Sequence, residues 1–248
     1  MFGYSANKLT GSVNRQYDKV QYYFQLKKTN DSLVRANEAL YNKLSSNFNL
    51  PDSGMKLVVD SIRIDSILQY RKFTYMSAKV VANSVTSQSN FVVLQSVNVP
   101  QMRVGMGVVD PNNAVVGAIT EVSGEFAVVM SLLHKDSHIS GKLLKTGETG
   151  TISWDGKYPN LVTLAGIPKS TKIIKGDSII TSGFSTIFPK GLLLGRVEQV
   201  YQEKSTNNLK ISVRTATNFN NLEFAYAINN IQQPTIDKLL EKAKNSSK

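Results

Sequence analysis

The sequence has no cysteine, two histidines and one tryptophan in 248 residues. The missing cysteine excludes disulfides, thiolate metal sites, iron–sulfur clusters and cysteine nucleophiles together. It leaves the compartment open, because a chain without thiols suits reducing and oxidising spaces equally. With only His134 and His138 available, a histidine metal site would need both rings plus carboxylates. No metal and no other cofactor is therefore expected. No run approaches the ~18 apolar residues that cross a bilayer. The first ten residues also lack the apolar centre of a secretory signal. Acidic side chains are scarce: 18 Asp and Glu stand against 29 Lys and Arg, a formal charge of +11. Seven basic and three acidic residues precede Pro51, so the excess is spread and not gathered in one arm. Such a field attracts anions in general and names none of them.

What is present fits a folded protein, with 41 % hydrophobic and 19 % charged residues. The first fifty residues read as helix. Leu26, Leu33 and Leu40 are seven apart, with Tyr23, Asn30, Asn37 and Leu44 at the complementary steps. This is an a/d seam with leucine at d and asparagine at a. No Pro or Gly falls between Ser12 and Leu50, so a helix of up to roughly 35 residues is expected, stopped by Pro51 and Gly54. A polar helix with one narrow apolar seam is not stable alone and requires a surface to cover it. Buried asparagines at a favour a parallel two-stranded register, so a homodimer is expected, against the alternative that the helix packs on its own domain.

From Met55 onward the pattern becomes short β-branched runs separated by turn residues. Thirteen candidate strands run from Lys56–Asp60 through Tyr75–Ala82 and onward to Glu223–Ile228. Turns such as Asp110-Pro111-Asn112-Asn113, Ser123-Gly124 and Asp155-Gly156 punctuate them. Strands without intervening helical periods predict antiparallel barrels or sandwiches. The fold class expected is mainly β, with a long N-terminal coiled-coil helix and two small antiparallel β-barrel or sandwich subdomains. Residues 1–50 form the coiled coil, 51–74 a connector, and 231–248 a polar tail or weak helix, where Ile236, Leu239, Leu240 and Ala243 keep helical spacing.

Catalytic constellations fare poorly. His134, Asp155 and Ser178 follow the chain order of a two-barrel serine protease, and Gly176-Asp177-Ser178 matches its nucleophile segment. Spacing argues against it: His134 and Ser178 are 44 residues apart, whereas that fold separates them by more than about a hundred. Ile179-Ile180 replaces the glycines that shape an oxyanion loop. The segment His134-Lys135-Asp136-Ser137-His138 reads as a turn, not a metal clip. Phosphate-binding loops and the GxSxG elbow are missing. Tyr17, Tyr22, Tyr23 and Phe24 lie near Lys19, Lys27 and Lys28, but these aromatics follow the helical seam, so no nucleic-acid partner is expected. No enzyme is expected. A two-barrel periplasmic hydrolase of the serine-protease type stands as the alternative.

The segment Ile173–Val200, IIKGDSIITSGFSTIFPKGLLLGRVEQV, is specific. It resembles the signature of the rod shape-determining protein MreC family through Gly176, Asp177, Thr181, Ser182, Gly183, Phe188, Pro189, Gly191, Gly195 and Val197. Gly105-Met106-Gly107-Val108-Val109 and Val115-Val116-Gly117 resemble the same family, as does AKVVANSV at Ala78–Val85, in the style of Bacteroidetes members. At Gln95-Ser96-Val97-Asn98 the chain departs from the glycine-bearing turn that many members carry. In physical terms Gly176-Asp177 suits a tight turn, and Thr181-Ser182-Gly183 a strand end with a left-handed residue. The glycines, Asp177, Thr181, Ser182 and Pro189 are therefore expected to be structural.

The resemblance implies a bitopic protein with a short cytoplasmic start, one membrane helix, a periplasmic coiled coil and two barrel-like subdomains. It implies a first subdomain that is discontinuous, 75–112 plus 202–230, around a second at 113–201. Its place would be the periplasmic face of the inner membrane, held by an anchor that this chain lacks. The partners implied are a class B penicillin-binding transpeptidase, RodA, MreD and MreB, with self-association into dimers and filaments. The role implied is a non-enzymatic scaffold for cell-wall elongation and cell shape.

Overall fold

The computed structural model describes residues 25–44, 47–49, 61–64, 67–202 and 206–246. Helix α1 covers residues 25–43. Strand β1 (Phe48–Asn49), β2 (Ser61–Ile64) and β3 (Ile67–Arg71) form a small antiparallel sheet in the order β1-β3-β2. Then come β4 (Phe73–Asn83), β5 (Phe91–Gln95), β6 (Gly107–Val109), β7 (Val115–Ser123) and β8 (Phe126–Ser131). They are followed by β9 (Ile139–Leu143), β10 (Thr149–Ser153), β11 (Leu161–Pro168), β12 (Ser178–Thr181), β13 (Leu193–Gln202) and β14 (Asn208–Thr215). Strand β15 (Phe224–Asn230) and helix α2 (Gln233–Asn245) end the chain.

Twelve of the strands close into two six-stranded antiparallel barrels. The first runs β15-β4-β5-β8-β7-β6 and the second β10-β11-β14-β13-β12-β9. Closure leaves no unpaired edge in either. Alternation dictates the inside of each barrel. In β5 the buried residues are Val92 and Leu94, and in β8 Ala127, Val129 and Ser131. Leu143, Ile152, Leu164, Ile179, Ile211 and Val213 are buried in the same way in the second barrel. Tight closure of so few strands bends them. Bulges interrupt β4, β7, β13 and the β11–β14 ladder. A Cβ on Gly117 would overlap the carbonyl oxygen of Met130, and one on Gly195 that of Arg214.

The chain parts differently from the 113–201 division. Strands β7 and β8 belong to the first barrel, because β7 pairs with β6 on one side and β8 on the other. Strand β14 belongs to the second, paired with β11 and β13. Hairpin neighbours stay together, so the chain leaves the first barrel after Ser131 and re-enters it with β15, which pairs with β4 and β6. The expected connector 51–74 contains β2 and β3, and its residues 51–60 lie outside the described ones. Helix α1 also ends before Pro51. Asn47 stops it: its side-chain amide donates to the carbonyl of Tyr41, and its backbone N–H to Leu44. Where the glycine-bearing turn is replaced, Ser96 supplies the turn. Its hydroxyl donates to the Ser77 carbonyl and accepts from the Asn98 N–H.

Candidate interaction surfaces at the helix and the inter-barrel joint

Helix α1 has two apolar stripes one residue apart. Val34 and Tyr41 are seven residues apart, like the leucines, and lie about 100° round the helix from Leu33 and Leu40. The first stripe is covered. Val34 is buried, and its carbonyl accepts from the Tyr226 hydroxyl of β15 at 3.1 Å. The Tyr41 ring stacks on Tyr75 of β4 at 5.2 Å and meets Tyr226 edge-on at 5.4 Å. Its hydroxyl donates to the carbonyl of Pro111 at 3.0 Å. Asn42 pairs twice with the Tyr75 backbone, donating to its carbonyl at 2.9 Å and accepting from its N–H at 2.7 Å. The Ser77 hydroxyl donates to Glu38.

Burial governs the titration of this junction. It pushes Tyr75 and Tyr226 up to about 12, with Tyr41 adding to both. Burial raises Tyr41 as well, and the neighbouring Asp110 adds to it. The Asp110 carboxyl is itself raised by burial, against the N–H groups of Ala114 and Asn112 that it accepts.

The second stripe faces outward. Leu26, Leu33, Leu40 and Leu44 are 49, 57, 62 and 46 % exposed. Leu26 and Leu33 flank a groove of about 630 Å³ whose opposite wall is Val80, Leu222 and Phe224 of the first barrel. The structure thus divides the expected seam. The leucines and Asn30 are exposed, Asn37 is half-buried and bonds the Tyr226 hydroxyl, and Tyr23 lies outside the described residues.

The family signature gathers at the joint between the barrels. From β12 of the second barrel, residues 182–192 reach across to the first. Phe188 lies against Gly107, where a Cβ would stand 2.6 Å from two carbons of the ring. Asn230 of β15 donates to the Thr186 carbonyl at 2.8 Å, and Thr186 bonds Asp237 of α2. The Thr181 hydroxyl ties the loop's base, donating to the Pro189 carbonyl at 2.6 Å and accepting from the Leu192 N–H at 2.9 Å. Ser182 bonds Ser140 of β9. Gly183 and Gly191 carry φ of +84° and +98°, so the loop leaves and re-enters the barrel through left-handed residues. Gly105 sits beside Gln233, which donates to its carbonyl. Gly176 and Asp177 form a separate turn before β12, in which Asp177 accepts the Ile174 N–H at 3.0 Å. From the other side of the joint, Leu193 donates to the Asn113 carbonyl and Thr217 to that of Val115.

The candidate triad is not assembled. Ser178 is bonded by Arg196, the Nδ1 of His134 accepts the Asp136 N–H, and Asp155 accepts from Lys157. His138 bonds the carbonyl of Asp136. No group of three metal-ligating side chains occurs among the described residues. Among those residues no helix is long and apolar enough to cross a membrane. Sequence reasoning missed Val34, Tyr41 and Tyr226. The first two carry the same heptad step as the leucines, whereas nothing local marks Tyr226 as their partner.

Comparison with known proteins follows the same lines. The family model described as rod shape-determining protein MreC, barrel core, matches residues 80–229. The cell shape-determining protein MreC of Listeria monocytogenes is 26 % identical over 137 residues. That alignment covers 54 % of this chain and 46 % of the relative, so the chain matches about half the length of that protein. The solved structure of MreC from Listeria monocytogenes shares the fold with a TM-score of 0.58 and 20 % identity, over 87 % of this chain and 94 % of that one. MreC from Helicobacter pylori, solved in complex with the penicillin-binding protein PBP2, shares it at 0.51 and 19 % identity, over 64 and 99 %. With its barrel strands under that family model and the signature loop at their joint, the chain belongs to the rod shape-determining protein MreC family.

Proposed function

We propose that this protein is a non-enzymatic scaffold of the bacterial cell-wall elongation machinery, self-associating through α1 and presenting its barrels to partners. Membership of a cell-shape family supports the role. The observation that carries the mechanism is the leucine stripe. With Val34 and Tyr41 already spent on the barrel, Leu26, Leu33 and Leu40 remain exposed, and an apolar stripe along one helix face marks an interaction surface. A second copy supplies it: the partner's α1 lies along the stripe, leucine against leucine, in a parallel coiled coil. The groove walled by Val80, Leu222 and Phe224 gives that helix a second surface.

The Helicobacter pylori relative, solved with PBP2, supports a class B penicillin-binding transpeptidase as the partner of the barrels. Contacts with RodA, MreD and MreB, and filaments built from dimers, extend the same reading on family resemblance. So does a single-pass anchor holding the protein at the periplasmic face of the inner membrane. A dimeric stalk would hold two copies of the barrels at a fixed height, and docking would shift the transpeptidase between arrangements.

Leu33→Asp tests the stripe. In light scattering across a concentration series, the unaltered chain is expected to give a dimer or larger species. Leu33→Asp is expected to give a monomer with unchanged far-ultraviolet circular dichroism of the barrels. A dimer that survives this change removes the stripe from the mechanism.

A further inference from the structure

Given the pairing of two α1 helices proposed above, on which this rests, we propose that Asn30 alone fixes their register, because the first barrel holds Asn37. The two asparagines are seven residues apart and lie about 40–60° round the helix from the leucines, on the side of Val34. They are equivalent in the sequence pattern, but the structure treats them differently. Asn37 is half-buried and bonds the Tyr226 hydroxyl, which itself donates to the Val34 carbonyl. Asn30 is exposed, lines the groove beside Leu26 and Leu33, and makes no hydrogen bond to a described residue.

A second copy of α1 is the occupant that this stripe fits. Leu26, Asn30, Leu33, Asn37, Leu40 and Leu44 carry no charge, so a like helix meets no repulsion along it. An asparagine in such a seam is satisfied by an asparagine across the axis, because the layers above and below are leucine. With both asparagines free, a slip of one heptad would still pair Asn30 of one helix with Asn37 of the other. With Asn37 bonded to Tyr226, that slip leaves Asn30 without a mate. An antiparallel partner fails too, since it sets the asparagine positions against leucine positions. The parallel, in-register pair is the alignment in which Asn30 meets Asn30. Asn37 acts as a positioning residue, holding α1 on β15 and making the register single.

The test exploits a chain without cysteine, in which an introduced thiol is a unique reporter. Full chains carrying Leu33→Cys and Leu40→Cys are mixed, allowed to exchange and oxidised, and the linked species are identified by mass. Links 33–33 and 40–40 report the in-register pair, and a 33–40 link reports the slip. In-register links are expected to exceed slipped ones at least about fivefold, the equivalent of one unsatisfied buried polar group. Asn30→Leu is expected to remove that excess while light scattering still gives a dimer or larger species. Tyr226→Phe frees Asn37 and is expected to raise the 33–40 link, and adding Asn37→Leu should lower it again. Circular dichroism of each variant reports folding separately. An excess that Asn30→Leu leaves in place overturns the assignment with the dimer still standing. So do slipped links as abundant as in-register ones in the parent mixture, or a 33–40 link that Tyr226→Phe leaves unchanged. A monomeric unaltered chain overturns it together with the pairing itself.

Discussion

At the scale of single residues, the signature glycines Gly107, Gly117, Gly183 and Gly195 are close approaches, and the closest that joins the two barrels is Gly107 against Phe188. An added Cβ would meet the ring at 2.6 Å and the Ile187 carbonyl at 2.9 Å. Gly107→Ala is therefore expected to lower stability by about 1–3 kcal/mol, the usual range for overpacking. Phe188→Ala, emptying a buried site, should cost about 3–5 kcal/mol. In the double variant the added methyl has room, so the two losses should fall short of their sum in denaturant titrations. Strict additivity would show that the ring does not rest on Gly107. The tyrosines make a second prediction. Tyr75 and Tyr226 titrate at about 12 when folded and near 10 when unfolded. The unfolded chain loses these protons first, so the stabilisation is complete below pH 10 and disappears as pH rises through 12. Stability measured from pH 8 to 12 should fall, and Tyr75→Phe should flatten the fall. An unchanged slope in that variant assigns the loss elsewhere. These couplings were only partly legible in the sequence. Gly107 and Phe188 stood out as wording, but they are 81 positions apart in the chain, and no local pattern says that they touch.

At the scale of elements, helix α1 shows why periodicity is informative and incomplete. The heptad leucines announced a helix, and the helix is there over residues 25–43. A sevenfold step, however, marks every stripe with that period, and Val34–Tyr41 has it as much as Leu33–Leu40. Which stripe meets the barrel is decided by what the barrel offers: the Tyr226 hydroxyl under Val34 and the Tyr75 ring under Tyr41. The two faces should separate in experiment. Val34→Asp places a carboxylate at a buried position against β15, and undocking α1 is the less costly response. Amide exchange across residues 25–43 is expected to accelerate while barrel amides keep their protection. Protection retained in the helix would place its main support outside the Val34 face. Strands were more legible than the helix boundary. All twelve barrel strands fall on short β-branched segments, because alternation and turn residues act locally. The helix stop at Asn47 and the small β1–β3 sheet depend on particular hydrogen bonds and pairings that composition does not mark.

At the scale of the molecule, the question is whether two closed barrels behave as one body. Each barrel closes on itself, and β-sheet pairing across the joint is limited to one isolated parallel bridge between Ala114 and Leu193. Their partition was also the least legible feature, since β7 and β14 look alike in pattern and only pairing decides which barrel takes each. What couples the barrels is the joint: Phe188 against Gly107, Asn230 to Thr186, and Thr217 to Val115. The single tryptophan gives a selective probe. Trp154 is buried beside the second barrel, its indole N–H donating to the Tyr158 carbonyl at 2.8 Å, so its fluorescence reports that barrel, while far-ultraviolet circular dichroism reports both. In urea the unaltered chain is expected to show coincident transitions by the two probes, because neither barrel keeps its side of the joint when the other unfolds. Phe188→Ala with Asn230→Ala removes the ring and the hydrogen bond together and should split them into two midpoints. Separate midpoints in the unaltered chain would mean that the barrels fold independently. The scaffold role proposed above needs the coupled outcome, since a partner docked on one barrel would bias the other only through a joint that resists bending.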